Sequence, residues 1–473
     1  MRRVSEIHDL TALEQGAAIA RGELTPADLA EHYASRTDDV GAYITPTPEL
    51  GIEHAHRLTS QGRPEGAGPL WGVPTGIKDL HPTKGVRTTF GSAAFADHVP
   101  SFSDNIALTL EAAGMPSLGK TNTPEFGTPC YTEPDVAPPA VTPWDRSRIA
   151  GGSSGGAAAA VAAGVLPIAP GSDGGGSIRI PASCCGLVGL KPSRGRISPA
   201  PLYGDTAGLS TAGPIARTVR DAAALLDVLA GRRVGDPYWA PPPSAPFVDA
   251  CERTPGRLRI ARFIEPVIVE TKIHESSRTA WERASQVLTD LGHEVEDIEV
   301  PLPREAMRTF SVAWSALAAI SAPGDERAEQ LRPITRWLVA RGSQTSGPEL
   351  AQAIGHLRRH AADALTRLAP FDAVLTPTLA QLPPPVGALR DDEDPARDFA
   401  QQSAFTPYTS AWNVTGMPAI SLPLHRHDGL PVGVMLAGRP AEEELLLSLA
   451  AQVEDSLPPT PVAWAKGVSG RSE

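Results

Sequence analysis

The 473-residue chain lacks a cysteine framework, a long apolar run and an excess of positive charge. Its four cysteines form neither a CxxC pair nor the spacing of a disulfide scaffold, and they stand at positions 130, 184, 185 and 251. We therefore expect free, buried thiols in a protein of the reducing cytoplasm. The N-terminus has no signal-peptide pattern, and no stretch of about 18 consecutive apolar residues predicts a transmembrane helix.

The charge excludes a further class of partner. The chain has 54 acidic and 42 basic residues, which give a formal net charge of −12. Phosphate groups repel an acidic surface, so binding to nucleic acid or to an anionic membrane is not expected. The composition is otherwise that of a globular protein, and the 48 prolines and 44 glycines predict many turns.

The apolar pattern predicts an α/β protein. Residues 6–62 carry apolar side chains at helical spacing. From residue 69 onward, short apolar runs between glycine and proline turns alternate with helical stretches, of which residues 218–231 are the clearest. Residues 413–438 predict two strands joined by a tight polar turn. We predict a single fold in which helices sandwich a central mixed, twisted β-sheet.

Two short motifs match known signatures but lack the structure that those signatures need. Residues 114–121 satisfy the P-loop pattern GxxxxGK[ST], but a predicted helix precedes them where a strand is required, so nucleotide binding is not expected. Residues 151–155 fit the GxSxG nucleophile elbow, but the preceding TPWDRSRIA is polar and turn-like. A serine hydrolase with a histidine base is therefore the weaker interpretation.

Glycine and serine are concentrated in two neighbouring segments, IAGGSSGGAAAAVAAG at 149–164 and GSDGGGSIRIPASCC at 171–185. Ser153 and Ser177 each stand next to glycines in these segments. Upstream, GVPTGIKDL places Lys78 directly after a short apolar run. Small residues at this density allow backbone amides and hydroxyl groups to converge on one point.

These segments resemble the amidase signature family of serine hydrolases. From 151 to 182 the sequence follows the family's long signature almost position by position, and the match continues through GKTNTPEFG, GLVGLKPSRGR, GPIARTVRDAAALLDVLAG and WNVTGMPAISLPL. Residues 232–370 match poorly. Ala157 stands where the family often has a polar residue, and Gly174 stands where it commonly has Thr or Ile.

The resemblance implies a serine–serine–lysine mechanism. Ser177 is expected to be the nucleophile, Lys78 the base, and Ser153 a proton relay held on a cis peptide bond. A lysine accepts a proton only when it is neutral, which requires burial or cationic neighbours that lower its pKa. The resemblance implies no metal ion and no other cofactor.

The resemblance also assigns the residues around the nucleophile. Asp173 and Arg179 are expected to form an ion pair that holds the turn, and Ser154 and Ser172 to support the site. Backbone N–H groups stabilise a developing oxyanion best in a tight turn that side chains do not obstruct. The four N–H groups expected to form the oxyanion hole belong to Gly174, Gly175, Gly176 and Ser177.

The resemblance implies an organisation around one catalytic unit. Residues 1–65 are expected to form a helical segment packed on the core, 66–465 the catalytic domain, and 466–473 a disordered tail. Within the domain, the insertions at 232–370 and the loop at 126–146 are expected to shape the substrate pocket.

The predicted function is hydrolysis of a carboxylic acid amide in the cytoplasm. The C–N bond is cleaved through an acyl-Ser177 intermediate to give the acid and ammonia or an amine. A small-molecule amide is the only partner implied, with a homodimer left open. Three alternatives share the fold: the A subunit of a tRNA-dependent amidotransferase, an acyl-transferring or amide-forming biosynthetic enzyme, and a non-catalytic binding protein. The last is disfavoured because all three catalytic positions are filled.

Overall fold

The computed structural model describes residues 6–458, which form two β-sheets and the helices packed against them. The strands of this part of the chain are β1 (Tyr43–Pro46), β2 (Thr75–Lys78), β3 (Ser117–Thr121), β4 (Ala169–Asp173), β5 (Val188–Lys191), β6 (Thr211–Ala216), β7 (Arg259–Arg262), β8 (Glu294–Asp297), β9 (Ala373–Pro377), β10 (Ala419–His427) and β11 (Leu430–Gly438).

Both sheets are mixed. In the three-stranded sheet, of order β1-β3-β2, the central strand β3 is antiparallel to β1 and parallel to β2. The eight-stranded sheet has the order β4-β6-β5-β10-β11-β9-β7-β8. In this sheet β7 runs parallel to both β8 and β9, whereas the other neighbouring strands are antiparallel.

Helices connect the strands and cover the large sheet. In chain order they are α1 (Ala12–Ala20), α2 (Pro26–Ala34), α3 (Pro48–Gln61), α4 (Asn105–Ala112), α5 (Gly155–Ala162), α6 (Arg179–Cys185), α7 (Val219–Leu229), α8 (Phe247–Ala250), α9 (Glu275–Asp290), α10 (Glu305–Ser321), α11 (Pro333–Ser343), α12 (Gly347–Leu368), α13 (Pro395–Phe405), α14 (Ala411–Thr415) and α15 (Glu443–Asp455). None of the helices between residues 6 and 458 is long and apolar enough to span a membrane.

The large sheet lies between two helical layers. Successive side chains of a strand point to opposite faces, and β11 follows this rule. Val434 and Leu436 pack in a core with α7, α9 and α15, whereas Met435 and Ala437 pack with α10, α12 and α14. The predicted α/β fold, with a mixed sheet sandwiched between helices, is confirmed.

Helix α5 is buried along its whole length, which explains its small residues. A Cβ atom added at Gly156 would lie 2.2 Å from the backbone nitrogen of Asn122 and 2.5 Å from the carbonyl oxygen of Ala42. No larger residue fits against backbone at that distance. Low complexity in this segment therefore reflects close packing rather than a flexible linker.

The helical prediction for residues 6–62 is wrong over residues 43–46. Tyr43–Pro46 forms β1 because its backbone pairs with β3, a partner far away in sequence. The N-terminal segment also contacts the core, since the Asp221 carboxylate accepts hydrogen bonds from the backbone N–H groups of Ala12 and Leu13. The domain boundary at residue 65 stays a prediction, and the predicted tail at 466–473 lies outside the described residues.

Several local predictions are confirmed. The two C-terminal strands β10 and β11 pair antiparallel across a turn in which Asp428 and Gly429 both have positive φ. The P-loop-like segment 114–121 follows α4 and consists of a turn and the strand β3, so the order is helix, turn, strand. All four cysteines are buried and free.

Candidate active site

Lys78 is the last residue of β2, and its amino group is surrounded by serine hydroxyl groups. The Nζ atom lies 2.8 Å from Ser153 Oγ, 2.9 Å from Ser154 Oγ and 3.0 Å from Ser172 Oγ. The Ser172 carbonyl oxygen is a more distant neighbour at 3.4 Å. The structure thus brings together four residues that the sequence analysis assigned to one site.

The environment of Lys78 favours the neutral amine. The side chain is completely buried, and burial lowers the pKa of Lys78 to about 7, although the negative charge of Asp173 opposes this shift. A hydroxyl group can either accept a hydrogen bond from an ammonium or donate one to an amine. The three serines can therefore solvate either protonation state of Lys78.

Ser153 lies in the loop that precedes α5. The Gly152–Ser153 peptide bond is cis, as the resemblance implied. A Cβ atom at Gly152 would lie 2.8 Å from the backbone nitrogen of Tyr131, so glycine is needed for this loop to pack. The backbone N–H of Ser154 donates to the Ser177 carbonyl at 3.1 Å and holds the two serine-bearing loops side by side.

A buried ion pair holds the turn between β4 and α6. Arg179 donates to both carboxylate oxygens of Asp173, from Nη2 at 2.8 Å and from Nε at 2.9 Å. Burial alone would raise the pKa of Asp173, but Arg179 and other donors lower it to about 2, so the carboxylate is charged. The predicted pairing of Asp173 with Arg179 is thus present, in bidentate geometry.

The backbone amides of the turn between β4 and α6 differ in their hydrogen bonds. The Gly176 N–H donates to Asp173 Oδ1 at 2.7 Å, so this amide is already used within the turn. Among residues 6–458, no acceptor contacts the amides of Gly175 and Ser177. The Gly176 N–H therefore helps to hold the turn, and the assignment of the four oxyanion donors stays a prediction.

Two residues from the C-terminal third complete the turn, and the sequence analysis missed both. Asn413 Nδ2 donates to the carbonyl oxygen and to Oδ1 of Asp173, each at 2.9 Å, and Thr409 Oγ1 donates to the Gly175 carbonyl at 2.6 Å. Asn413 lies in α14, inside the resembling segment WNVTGMPAISLPL, whereas Thr409 lies just before that helix and outside the segment. That resemblance could have drawn attention to Asn413.

Ser177 opens onto a cavity of about 540 Å³. Its hydroxyl has no hydrogen-bond partner among the described residues. We call the cavity onto which Ser177 opens the front cavity. Its lining includes Cys130 from the loop predicted to shape the pocket, and Phe310 and Trp314 from the predicted insertion. Helix α13 also contributes, through residues such as Gln402, and this contribution was not predicted.

Ser172 contacts a second, smaller cavity of about 190 Å³ on the side of Lys78. His81 lies there too, and its Nδ1 atom is 2.6 Å from Asp104 Oδ2. Within the described part of the chain, no group of three or more His, Cys, Asp or Glu side chains is arranged to hold a metal ion.

Comparison with known proteins gives consistent results. A model of the amidase family matches residues 27–447. The 6-aminohexanoate-cyclic-dimer hydrolase of Paenarthrobacter ureafaciens is 36% identical, with 97% of this chain and 96% of that protein covered. A solved structure of 6-aminohexanoate cyclic dimer hydrolase complexed with substrate superposes with a TM-score of 0.86 at 32% identity, covering 96% and 98% of the two chains. A bacterial aryl acylamidase of the amidase signature family has a TM-score of 0.85 at 26% identity, with 96% and 97% covered.

The fold and the matched length define an enzyme of the hydrolase class that cleaves amide C–N bonds. This chain belongs to the amidase family, in the amidase signature group. The predictions of family, fold and amidase activity are thereby confirmed.

Proposed function

We propose that this amidase cleaves a small carboxamide through an acyl-Ser177 intermediate, with Lys78 as the base and Ser153 as the proton relay. The observation that carries the proposal is the 2.8 Å contact between Lys78 Nζ and Ser153 Oγ in a fully buried site. A lysine in such a site is neutral often enough near pH 7 to accept a proton.

In the first step Ser177 Oγ attacks the amide carbonyl carbon. Its proton passes to Ser153 Oγ while the proton of Ser153 passes to Lys78 Nζ, which becomes an ammonium. The oxyanion accepts hydrogen bonds from the N–H groups of Gly175 and Ser177, which have no other acceptor among the described residues. The family assignment adds the N–H of Gly174 to this set.

In the second step the relay runs backward. Ser153 donates a proton to the amide nitrogen and recovers one from Lys78, the C–N bond breaks, and ammonia or an amine leaves. A water molecule then attacks the acyl-Ser177 ester with the same pair as base, and the carboxylic acid is released. The Asp173–Arg179 pair acts by holding the turn that carries Ser177.

A fluorophosphonate probe, which reacts with activated serines, tests the proposal. We expect the wild-type chain to be labelled at Ser177, and labelling to be lost in Ser177→Ala and strongly slowed in Lys78→Ala. Labelling that persists in Ser177→Ala contradicts the nucleophile assignment. Circular dichroism of each variant distinguishes a lost base from a lost fold.

Two alternatives predict different products. The purified chain should release acid and amine from simple amides on its own, whereas an amidotransferase subunit should need its partner subunits. Added hydroxylamine separates hydrolysis from acyl transfer, because a transferase directs most of the acyl group to the added nucleophile. Hydrolysis as the main outcome supports the proposal.

The similar hydrolase acts on a cyclic amide dimer, and the front cavity here is large enough for a small organic amide. We include in the proposal a cytoplasmic location, supported by four free buried thiols. The acidic net charge supports the absence of nucleic-acid and membrane partners. A homodimer stays open.

A further inference from the structure

An aromatic wall stands directly beside the nucleophile in the front cavity. The rings of Phe310 and Trp314 are stacked, with centroids 5.4 Å apart and planes 18° apart. A Cβ atom at Gly174 would lie 3.2 Å from a ring carbon of Trp314, so the tryptophan packs against the turn that bears Ser177. Together with the Ser210 hydroxyl, 2.9 Å from the same Cβ position, this contact gives a physical reason for glycine where the family commonly has Thr or Ile.

The charged residues of the same cavity are unbalanced. Glu270, Arg304 and Arg308 are the charged side chains that line it within the described chain. Arg304 Nη1 lies 3.2 Å from Glu270 Oε2, so these two charges compensate each other. Arg308 has no ion-pair or hydrogen-bond partner among the described residues, and its side chain is exposed. The cavity therefore carries one uncompensated positive charge in a protein of net charge −12.

We propose that the front cavity selects amides that carry both a flat apolar group and a carboxylate, and that Arg308 binds the carboxylate. The proposal rests on the assignment of Ser177 as the nucleophile. The Phe310–Trp314 wall takes the flat group next to the scissile bond, since stacked rings favour planar apolar partners. The guanidinium of Arg308 matches the two oxygens of a carboxylate.

The other lining residues support an orienting role for Arg308. Apart from Arg308 and the paired Glu270 and Arg304, the lining is formed by small, hydroxyl, amide and apolar residues, among them Ser311 and Gln402. These groups can hydrogen-bond a neutral amide, but they do not distinguish an anion from a neutral molecule of the same shape. Among the lining residues, Arg308 is the one that can distinguish an anion from a neutral molecule.

The experiment uses two ligands of nearly the same shape, terephthalamate, which carries a carboxylate, and terephthalamide, which is neutral. Each is tested for its ability to protect Ser177 from the fluorophosphonate probe. In the wild-type chain the anion should protect at a roughly ten-fold lower concentration, as expected for one charge-assisted hydrogen bond. The advantage should shrink as salt is added.

Three variants make the test specific. Arg308→Gln should abolish the advantage of the anion, and Arg308→Lys should restore part of it. Glu270→Gln should enlarge the advantage, because it removes the negative charge that compensates Arg304. Arg257→Gln changes the net charge equally at an exposed position outside the cavity lining and should leave the ratio unchanged.

Equal protection by the two ligands in the wild-type chain, or an advantage that persists in Arg308→Gln, overturns the inference. Absence of protection by terephthalamate also overturns it. Failure of the wild-type chain to be labelled, or labelling away from Ser177, instead contradicts the proposed nucleophile, so the two failures are distinguishable.

Discussion

Two lysines on neighbouring strands of the small sheet are both buried, yet their surroundings differ in one chemical respect. Lys78 on β2 contacts three serine hydroxyl groups. Lys120 on β3 donates to the His81 carbonyl oxygen and lies 3.8 Å from the carboxylate of Asp79, in addition to two threonine hydroxyl groups. A carboxylate only accepts hydrogen bonds and is negatively charged, so it favours an ammonium, whereas the acceptor-only neighbour of Lys78 is the neutral Ser172 carbonyl at 3.4 Å.

The difference separates a lysine suited to proton transfer from one suited to structure. Burial lowers the pKa of Lys120 to about 8, a smaller shift than for Lys78, because Asp79 stabilises the charge. Burial also raises the pKa of Asp79, although Lys120 opposes this. The pair thus offsets part of its own burial cost. Among residues 6–458, no carboxylate lies within ion-pair distance of Lys78, so Lys78 loses its proton more easily.

A lowered pKa is not sufficient to make a base. Burial, with nearby Arg179, lowers the pKa of Lys191 to about 7 as well, but its Nζ atom donates to the Pro192 carbonyl at 2.8 Å. Among the described residues, no serine hydroxyl contacts that amine. What distinguishes Lys78 is its contact with three serine hydroxyl groups, one of which belongs to Ser153, the proposed proton relay.

The largest effect is expected from Lys78→Met. Amide hydrolysis should fall about ten-thousand-fold in kcat/KM, because the amine that contacts Ser153 and is proposed to accept its proton is removed. The fold should be kept, since methionine fills a similar volume without a buried amine. Steady-state kinetics and urea unfolding measure the two quantities, and a loss below ten-fold contradicts the role of Lys78.

Lys120→Met should reduce the stability of the protein more than its catalytic rate. Removing the cation leaves Asp79 buried without an ion-pair partner, which lowers the free energy of unfolding by about 3 kcal/mol. Any loss of kcat should be far smaller than in Lys78→Met when measured where the variant is folded. Adding Asp79→Asn should recover part of the stability. A Lys120→Met variant that is stable but catalytically inactive would contradict the distinction between a catalytic Lys78 and a structural Lys120.

Ser172→Ala should have a smaller effect. It removes one hydroxyl group that accepts a hydrogen bond from the Lys78 ammonium, so the pKa of Lys78 should fall further. The midpoint of the pH–rate profile should move to lower pH, with kcat reduced roughly five-fold. Thr88→Val, which removes a hydroxyl from Lys120, is the matched control and should leave the midpoint in place.

The sequence predicted the parts of the site that are local and missed those that depend on distant contacts. Lys78 ends β2, Ser153 lies in the loop before α5, and Ser177 lies in the turn between β4 and α6. The glycine-rich patterns around the two serines indicate the local backbone geometry. Thr409 and Asn413 support the same turn through packing of a segment more than 200 residues away, which no local pattern records. The commitment of the Gly176 amide to Asp173 likewise depends on the folded turn.

The small sheet also contains a contact that depends on the fold and that local sequence patterns do not reveal. Lys120 matches the lysine of a P-loop pattern, and the sequence order alone excluded that function. Its pairing with Asp79 was not predicted, because it depends on β2 and β3 lying side by side. The aromatic wall could not be predicted either, since α10 belongs to the poorly matching region.

The pH dependence of Ser177 labelling by the fluorophosphonate probe tests the central claim most directly. If neutral Lys78 is the base, the labelling rate should rise about ten-fold per pH unit below pH 7 and level off above it. Lys78→Met should lose this dependence, whereas Lys191→Met should keep a midpoint near 7. A wild-type profile that is flat, or a midpoint near 7 that persists in Lys78→Met, contradicts the account.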